Sequence, residues 1–250
     1  MKSVGILALS VLAGASSSAL AVITYPDMNA TNVLFQNLSE DSTTNPGVPL
    51  FGSGTINTAG DSLVLNPANF GATSTNGGPA AATQGTLNVD IQAKPGFFIP
   101  AINFAEAGDF TILGGGGLGT AVSVTASIQI TVTEVNGGAI APISFSTALN
   151  FFPSGGTFNL LDDGQNNVTI WNGNQTYDIN GFLAGNGIFG QATRVTVELS
   201  NNLTATSEFG TIAFIKKKEV DGSAITVVPA PGAVALLGLG GLVAARRRRA

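Results

Sequence analysis

Between Val122 and Thr133 the chain alternates without a fault. Val122, Val124, Ala126, Ile128, Ile130 and Val132 are apolar, whereas Ser123, Thr125, Ser127, Gln129, Thr131 and Thr133 are polar. A period of two sends the two sets to opposite faces of a strand, which gives the segment one buried and one wet face, as in an antiparallel sheet. Asn136-Gly137-Gly138 then supplies residues that tolerate positive φ, and Ala139 to Phe152 resumes an apolar run interrupted by Pro142. The spacing predicts a long hairpin.

Further strands are predicted at Val33–Leu38, Ser62–Leu65, Thr86–Ile91, Phe97–Phe104, Phe110–Leu113, Thr157–Leu161, Val168–Trp171, Arg194–Leu199 and Phe209–Ile215. Gly, Pro, Asn or Asp separates them, and they recur every roughly 8 to 15 residues, the rhythm of a sandwich rather than of alternating helix and strand. The expected fold is all-β, a single antiparallel two-sheet β sandwich of jelly-roll-like kind. Asn66–Gln84 and Gly114–Gly119, rich in Gly and Pro, read as loops. A short turn of helix near Ile179–Leu183 is the one helical candidate of the body, and Gly181 argues against it. No internal repeat of fixed period suggests a solenoid or propeller.

The chain has no cysteine and no histidine. A disulfide framework is therefore excluded, as are Ser-His and Cys-His nucleophiles and the commonest zinc ligands. No cofactor is implied. All 15 acidic residues lie between the two ends of the chain, where the only bases are Lys94, Arg194, Lys216, Lys217 and Lys218, so the central part carries a formal charge of about −10 against −5 for the whole. Such a surface repels phosphate backbones, and nucleic-acid binding is not expected.

The two ends differ in character from the body. Lys2, the apolar stretch Val4–Ala15 and Ala19-Leu20-Ala21 form a secretory signal peptide over residues 1–21, with cleavage expected after Ala21. At the other end, Val227-Val228-Pro229-Ala230-Pro231-Gly232 precedes an apolar run to Ala245 and the block Arg246-Arg247-Arg248-Arg249. A helix over residues 232–245 rises about 21 Å, short for a bilayer core of about 30 Å. Counting back to Val227 and letting the arginines snorkel completes a crossing with the arginines on the cytoplasmic side. Pro229 and Pro231 bias Val228 and Ala230 toward extended backbone, so an unpaired strand suited to a protease cleft is expected ahead of the helix.

This three-part tail resembles the PEP-CTERM sorting signal of bacterial surface and exopolysaccharide-associated proteins. Ala230 stands where that family has an acidic residue, and Pro-Ala-Pro followed by Gly-Ala and Leu-Leu-Gly-Leu is similar to the planctomycete-like form. The resemblance implies Sec export, transient anchoring in the inner membrane, and cutting by an exosortase-like membrane protease at a processing signal made of Val228, Pro229, Ala230, Pro231, Gly232 and Arg246 to Arg249. A plain tail anchor that is never cut is the alternative. The same tail type is also called an ice-binding protein C-terminal domain; nothing about ice is carried over, since a removable tail makes no ice contact. The resulting organisation is a signal peptide at 1–21, a body at 22–220, a linker at 221–228 and the sorting signal at 229–250.

Within the body, Asp162-Asp163-Gly164-Gln165-Asn166-Asn167 gathers oxygen ligands of the kind calcium needs, although the same residues build ordinary turns and the spacing is not that of an EF-hand. Glu106 with Asp109, or Glu134 with Glu198, could supply the two carboxylates of a glycoside hydrolase. Gly108-Asp109 and Gly60-Asp61 read more simply as turns leading into strands. Trp171 and Tyr177 could form a small sugar-stacking platform, or pack in the core. Lys216-Lys217-Lys218 reads as a solvated strand end that discourages aggregation, or as a contact for anionic membrane or polysaccharide. The expected protein is a non-enzymatic, exported surface or matrix protein with a structural or adhesive body. A carbohydrate- or calcium-binding module is the alternative, and a glycoside-active enzyme comes third.

Overall fold

The computed structural model describes residues 21–57, 60–218 and 223–231. Residues 1–20 of the expected signal peptide, with Ala19, lie outside the described residues, as do the expected membrane helix over 232–245 and Arg246 to Arg249. Among the described residues no helix is long and apolar enough to cross a membrane.

Sixteen strands are present: β1 (Ile23–Thr24), β2 (Met28–Asn29), β3 (Val33–Asp41), β4 (Thr55–Asn57), β5 (Ser62–Val64), β6 (Gly71–Thr75), β7 (Ala81–Ala93), β8 (Phe97–Gly114), β9 (Ala121–Val135), β10 (Gly138–Ala148), β11 (Phe151–Phe152), β12 (Thr157–Asn159), β13 (Asn166–Asp178), β14 (Ala192–Thr206), β15 (Thr211–Lys217) and β16 (Ala224–Pro231). Among the described residues two short α-helices, α1 (Leu160–Asp163) and α2 (Ile179–Gly185), and a 3-10 turn at Ser154–Gly156 punctuate them. The first sheet runs β1-β3-β7-β14-β9-β10, with β2 beside β3 and β12 beside β9. The second runs β11-β13-β8-β16-β5-β4, and β15 bridges β8 to β6. Every pairing between these strands is antiparallel. β14 at the centre of the first sheet lies over β6, β8 and β15 of the second, so the all-β, two-sheet expectation describes the chain.

The period-two pattern explains the core. From the first sheet Leu87, Val89, Ile91, Ile128, Ile130, Val132, Val195, Val197 and Leu199 point inward, and from the second Ile102, Phe104, Phe110, Ile112, Ala213, Ile215 and Ile225 meet them. The β9–β10 hairpin turns at Asn136 (φ 51°) and Gly137 (φ 79°). Left-handed conformation at both central residues matches the twist of the flanking strands, which is why Asn-Gly stands there. The interruption at Pro142 is a register shift between Ala139 and Ile143.

Several boundaries differ from the sequence reading. Phe97–Phe104 and Phe110–Leu113 are one strand of 18 residues, so Gly108-Asp109 is strand interior and not a turn. Gly108 interrupts no pairing; it makes room. A Cβ there would sit 2.3 Å from Trp171 Cζ2 and 2.1 Å from the Lys216 carbonyl oxygen, so glycine is what allows Trp171, fully buried, to lie across β8. The stretch 66–84 read as a loop contains β6 and the start of β7. The helix that Gly181 argued against does form. Asp178 caps it by accepting from the Gly181 amide (2.8 Å), and a Cβ at 181 would lie 2.4 Å from the capping carboxylate, so the glycine serves the cap.

The largest correction concerns residues 221–228. From Ala224 onward the expected linker is β16, paired with β5 over Ala224–Thr226 and with β8 as far as Pro231. The packed body therefore extends to Pro231 rather than ending near 220.

Trp171 abuts Phe151 edge-on at 5.5 Å between ring centroids and has no exposed surface. Trp171→Ala should cost roughly 3–5 kcal/mol of unfolding free energy through transfer and cavity terms. Denaturant titration of the variant against the wild type measures this.

Candidate functional site

Val228 to Pro231, the part of the expected processing signal that is described, occupies the C-terminal half of β16. Val227 and Val228 pair with Ile102 and Ala101, and Ala230 and Pro231 pair with Phe98 and Phe97. Between them the register shifts, so that Pro229 stands opposite the stretch of β8 that contains Pro100. Neither proline has an amide hydrogen to give the ladder, and a bulge is where a strand accommodates that loss. β5 covers the other edge of β16 only as far as Thr226, although the Val227 amide still donates to the Asp61 carbonyl oxygen (2.8 Å). Val228 to Pro231 is thus held along one edge by β8, and the expectation of an unpaired strand is corrected to a half-paired one. Val228 is exposed.

A cleft of about 450 Å³ adjoins this segment, lined among others by Phe97, Phe98, Gln92, Lys94, Glu134 and Thr193. Its polar side chains already have hydrogen-bond partners within the protein. Arg194 Nη1 donates to Glu134 Oε1 at 3.2 Å, Gln92 Nε2 donates to the Thr193 carbonyl oxygen at 3.1 Å, and Lys94 Nζ donates to the Ala30 (2.5 Å) and Thr31 (3.1 Å) carbonyl oxygens.

The structure separates the carboxylate pairs. Glu106 and Asp109 stand three residues apart on β8, which sends them to opposite faces of the sheet. Each has its own lysine: Lys217 Nζ donates to Glu106 Oε1 at 2.8 Å inside the core, and Lys218 contacts Asp109 on the other face. Glu134 lies beside Arg194 in the ladder, and Glu198 is four residues further along β14. That is about 13 Å of strand, beyond the separation at which two carboxylates flank one glycosidic bond.

The run Lys216-Lys217-Lys218 is not a uniformly solvated end. Lys217 is completely buried and Lys218 is 46% exposed. The period of β15 is the reason: Thr211, Ala213, Ile215 and Lys217 share the inward phase. The Lys217 ammonium lies 4.9 Å from the ring centroids of both Phe51 and Phe70. Burial pushes it below the usual lysine range, and the Glu106 carboxylate opposes that shift. Asn201 Nδ2 donates to the second oxygen, Glu106 Oε2, at 2.7 Å. Asn201 Oδ1 is buried and receives no hydrogen bond.

A second buried carboxylate steadies this surround. Glu40 Oε2 accepts from the Leu50 (3.0 Å) and Phe51 (2.6 Å) amides, while Oε1 accepts from the Tyr25 hydroxyl. It thereby holds the loop that brings Phe51 over Lys217. Desolvation, and after it the Glu40 hydrogen bond and charge, push the Tyr25 phenol far above its ordinary value.

Asp162 to Asn167 is spent on local geometry. Asp162 Oδ2 accepts from Asn159 Nδ2 (2.8 Å), and Asp163 accepts from the Asn159 amide (2.7 Å) and from Ser154 Oγ (3.0 Å). Asn166 Nδ2 donates to the carbonyl oxygens of Asp163 (2.9 Å) and Gly164 (3.0 Å). Among the described residues no group of three acidic side chains converges as a metal site would require. Trp171 and Tyr177 are both buried, so they pack the core and offer no platform to a sugar ring.

No family model matches the chain, and no curated protein does. Among solved structures, TmCBM61 in complex with beta-1,4-galactotriose aligns over 65% of this chain and 86% of its own at 11% identity, with a TM-score of 0.22. The enzymatically active domain of tailspike protein 4 of bacteriophage CBA120 aligns over 80% of this chain but only 19% of its own, at 16% identity and a TM-score of 0.19. Similarities this distant carry no argument about activity.

Two outcomes follow from the buried charges. Lys217→Ala strands Glu106 in the core and should cost roughly 3–5 kcal/mol, whereas replacing both partners by apolar residues of similar volume should cost much less; chemical denaturation distinguishes the two. For Tyr25, the raised folded-state value makes its contribution complete below pH 10 and lost as the pH climbs through that value. The stability difference between wild type and Tyr25→Phe should therefore shrink in strongly alkaline buffer.

Proposed function

We propose that this is an exported surface or extracellular-matrix protein, held briefly in the inner membrane by its C-terminal segment and cut by an exosortase-like protease near Pro229 to Pro231. The body then acts as a structural or adhesive β domain among extracellular polysaccharide. The observation that carries the reading is the ordered tail: Val228-Pro229-Ala230-Pro231-Gly232, the apolar run, and Arg246 to Arg249. The export signal at the other end, ending at Ala19-Leu20-Ala21, agrees with it.

The position of the processing segment supports the same reading. β16 belongs to the sheet through Pro231, so a cut on the C-terminal side of Pro231 leaves every strand pairing whole. A membrane-anchored chain would meanwhile hang from a strand sheared along β8, which loads many hydrogen bonds together. The open edge of Val228 to Pro231 is also the form in which an extended segment is read by strand addition.

The outer face of the first sheet supports an extracellular polar contact. Ser144, Thr131, Thr196, Asp90 and Gln36 form one row across five strands, and Ser146, Gln129, Glu198, Asn88 and Ser39 the next. Hydroxyl, amide and carboxylate groups repeated at strand spacing suit a hydrated, hydroxyl-rich polymer better than an apolar partner.

Mass spectrometry of the mature protein isolated from the cell surface tests the reading. The expected C-terminus lies at or just beyond Pro231 and lacks Arg246 to Arg249. Surface-exposed protein that retains the arginine block would overturn processing, and cytoplasmic protein with both ends uncut would overturn export.

A further inference from the structure

Lys217, Glu106 and Asn201 come from three strands, β15, β8 and β14, and meet in the interior with exposures of 0%, 2% and 1%. The two oxygens of a single carboxylate hold the other two residues: Oε1 takes the Lys217 ammonium at 2.8 Å and Oε2 takes the Asn201 amide at 2.7 Å. Phe51 and Phe70 flank the amine, each 4.9 Å from Nζ, and exclude water from it. The space is made deliberately. Asn201 has Gly85 and Ala126 as its ladder neighbours, and a Cβ on Gly85 would meet Leu50, Phe51 and Phe70 at 2.9 to 3.2 Å.

We infer that Lys217 and Asn201 join in an intramolecular isopeptide bond, with Glu106 as the proton-transferring catalytic group. The bond would tie β15 of the second sheet to β14 of the first, in a chain that has no cysteine to staple its layers.

The chemistry closes without an outside reagent. The Lys217 proton passes along the hydrogen bond to Glu106, which replaces two buried charges by two neutral groups. Burial already favours the neutral amine, the nucleophilic form. A half-turn of the Asn201 amide places its carbonyl oxygen on the protonated Glu106 carboxyl group, which polarises Cγ and relieves the oxygen that now lacks a partner. Nζ attacks Cγ, and the Nζ–Cγ bond forms. Glu106, having given its proton to the amide oxygen as the bond forms, takes the surplus proton of the attacking nitrogen and passes it to the Asn201 nitrogen. The Cγ–Nδ2 bond then breaks and ammonia leaves. The proton left on the amide oxygen goes out with the ammonia as ammonium, so the Glu106 carboxylate is restored, one amide replaces another, and nothing is oxidised or reduced. Proximity in a dry site supplies the rate that two such groups lack in water.

The burial of all three residues argues for a reaction over a resting ion pair alone. An asparagine carbonyl oxygen without a partner in the core carries a standing desolvation cost, which amide exchange removes together with the buried ammonium.

Intact-mass spectrometry of the denatured, purified wild-type chain decides the question, whatever the variants do. The expected mass is that of the processed sequence less one ammonia, and trypsin digestion should leave Lys217 attached to the peptide that contains Asn201. Glu106→Gln should keep the full mass while circular dichroism reports a folded β protein. Asn201→Asp should form the same link with loss of water instead. A wild-type chain of unmodified mass after folding would sink the inference. So would an ammonia loss that maps to an Asn-Gly step such as Asn136-Gly137, where a succinimide gives the same change. Sorting of the tail is read by the position of the C-terminus, so either result can fail without the other.

Discussion

An amine shut away from water must be compensated as the sheets close, and the meeting of Lys217 with Glu106 and Asn201 organises the centre of this sandwich. Its carboxylate partner comes from the long strand β8, the amide that completes the carboxylate comes from β14 in the opposite sheet, and the rings that cover it come from loop residues. Each contribution must arrive in the right register for the others to be tolerable. A slip of one residue in any of the three strands would turn a polar side chain to the wrong face and leave a bare charge in the core. The polar centre thus specifies how the sheets align, a task that an apolar interface alone performs weakly because Val and Ile accept many neighbours.

Around that centre the structure depends on long strands. β8, β9 and β14 span most of the sandwich, and β8 alone pairs with β13, β15 and β16. Such breadth follows from small residues where layers approach closely, Gly108 beneath Trp171 above all. It also makes β8 the strand on which the C-terminal segment rests. The sheet and the C-terminal segment are therefore mechanically one object from Ala224 to Pro231.

The legible parts of the fold were those decided by local pattern. The alternation from Val122 to Thr133 placed β9, and Asn136-Gly137 placed its turn, because side-chain period and positive φ are properties of consecutive residues. The misread parts involve partners distant in sequence. Residues 221–228 looked like a linker because they follow the last strand legible in the sequence, yet from Ala224 they pair with β5 and β8, and β8 carries Pro100 at the bulge opposite Pro229. Gly108 looked like a turn because nothing nearby in sequence mentions the tryptophan it accommodates. Lys217 was the nearest miss: it keeps the inward phase of Thr211, Ala213 and Ile215, and following that phase one step further would have placed it in the core.

Composition and periodicity by themselves determined an all-β, cysteine-free, acidic body between two apolar ends, since these follow from which residues are present and how they alternate. They could not decide which carboxylates, amides and amines meet. Glu106, Asn201 and Lys217 are spread over more than a hundred positions of the chain, and only the closing of one sheet on the other brings them to a single point. Proximity between strands is set by register and layer packing, and neither is written in any stretch of neighbouring residues.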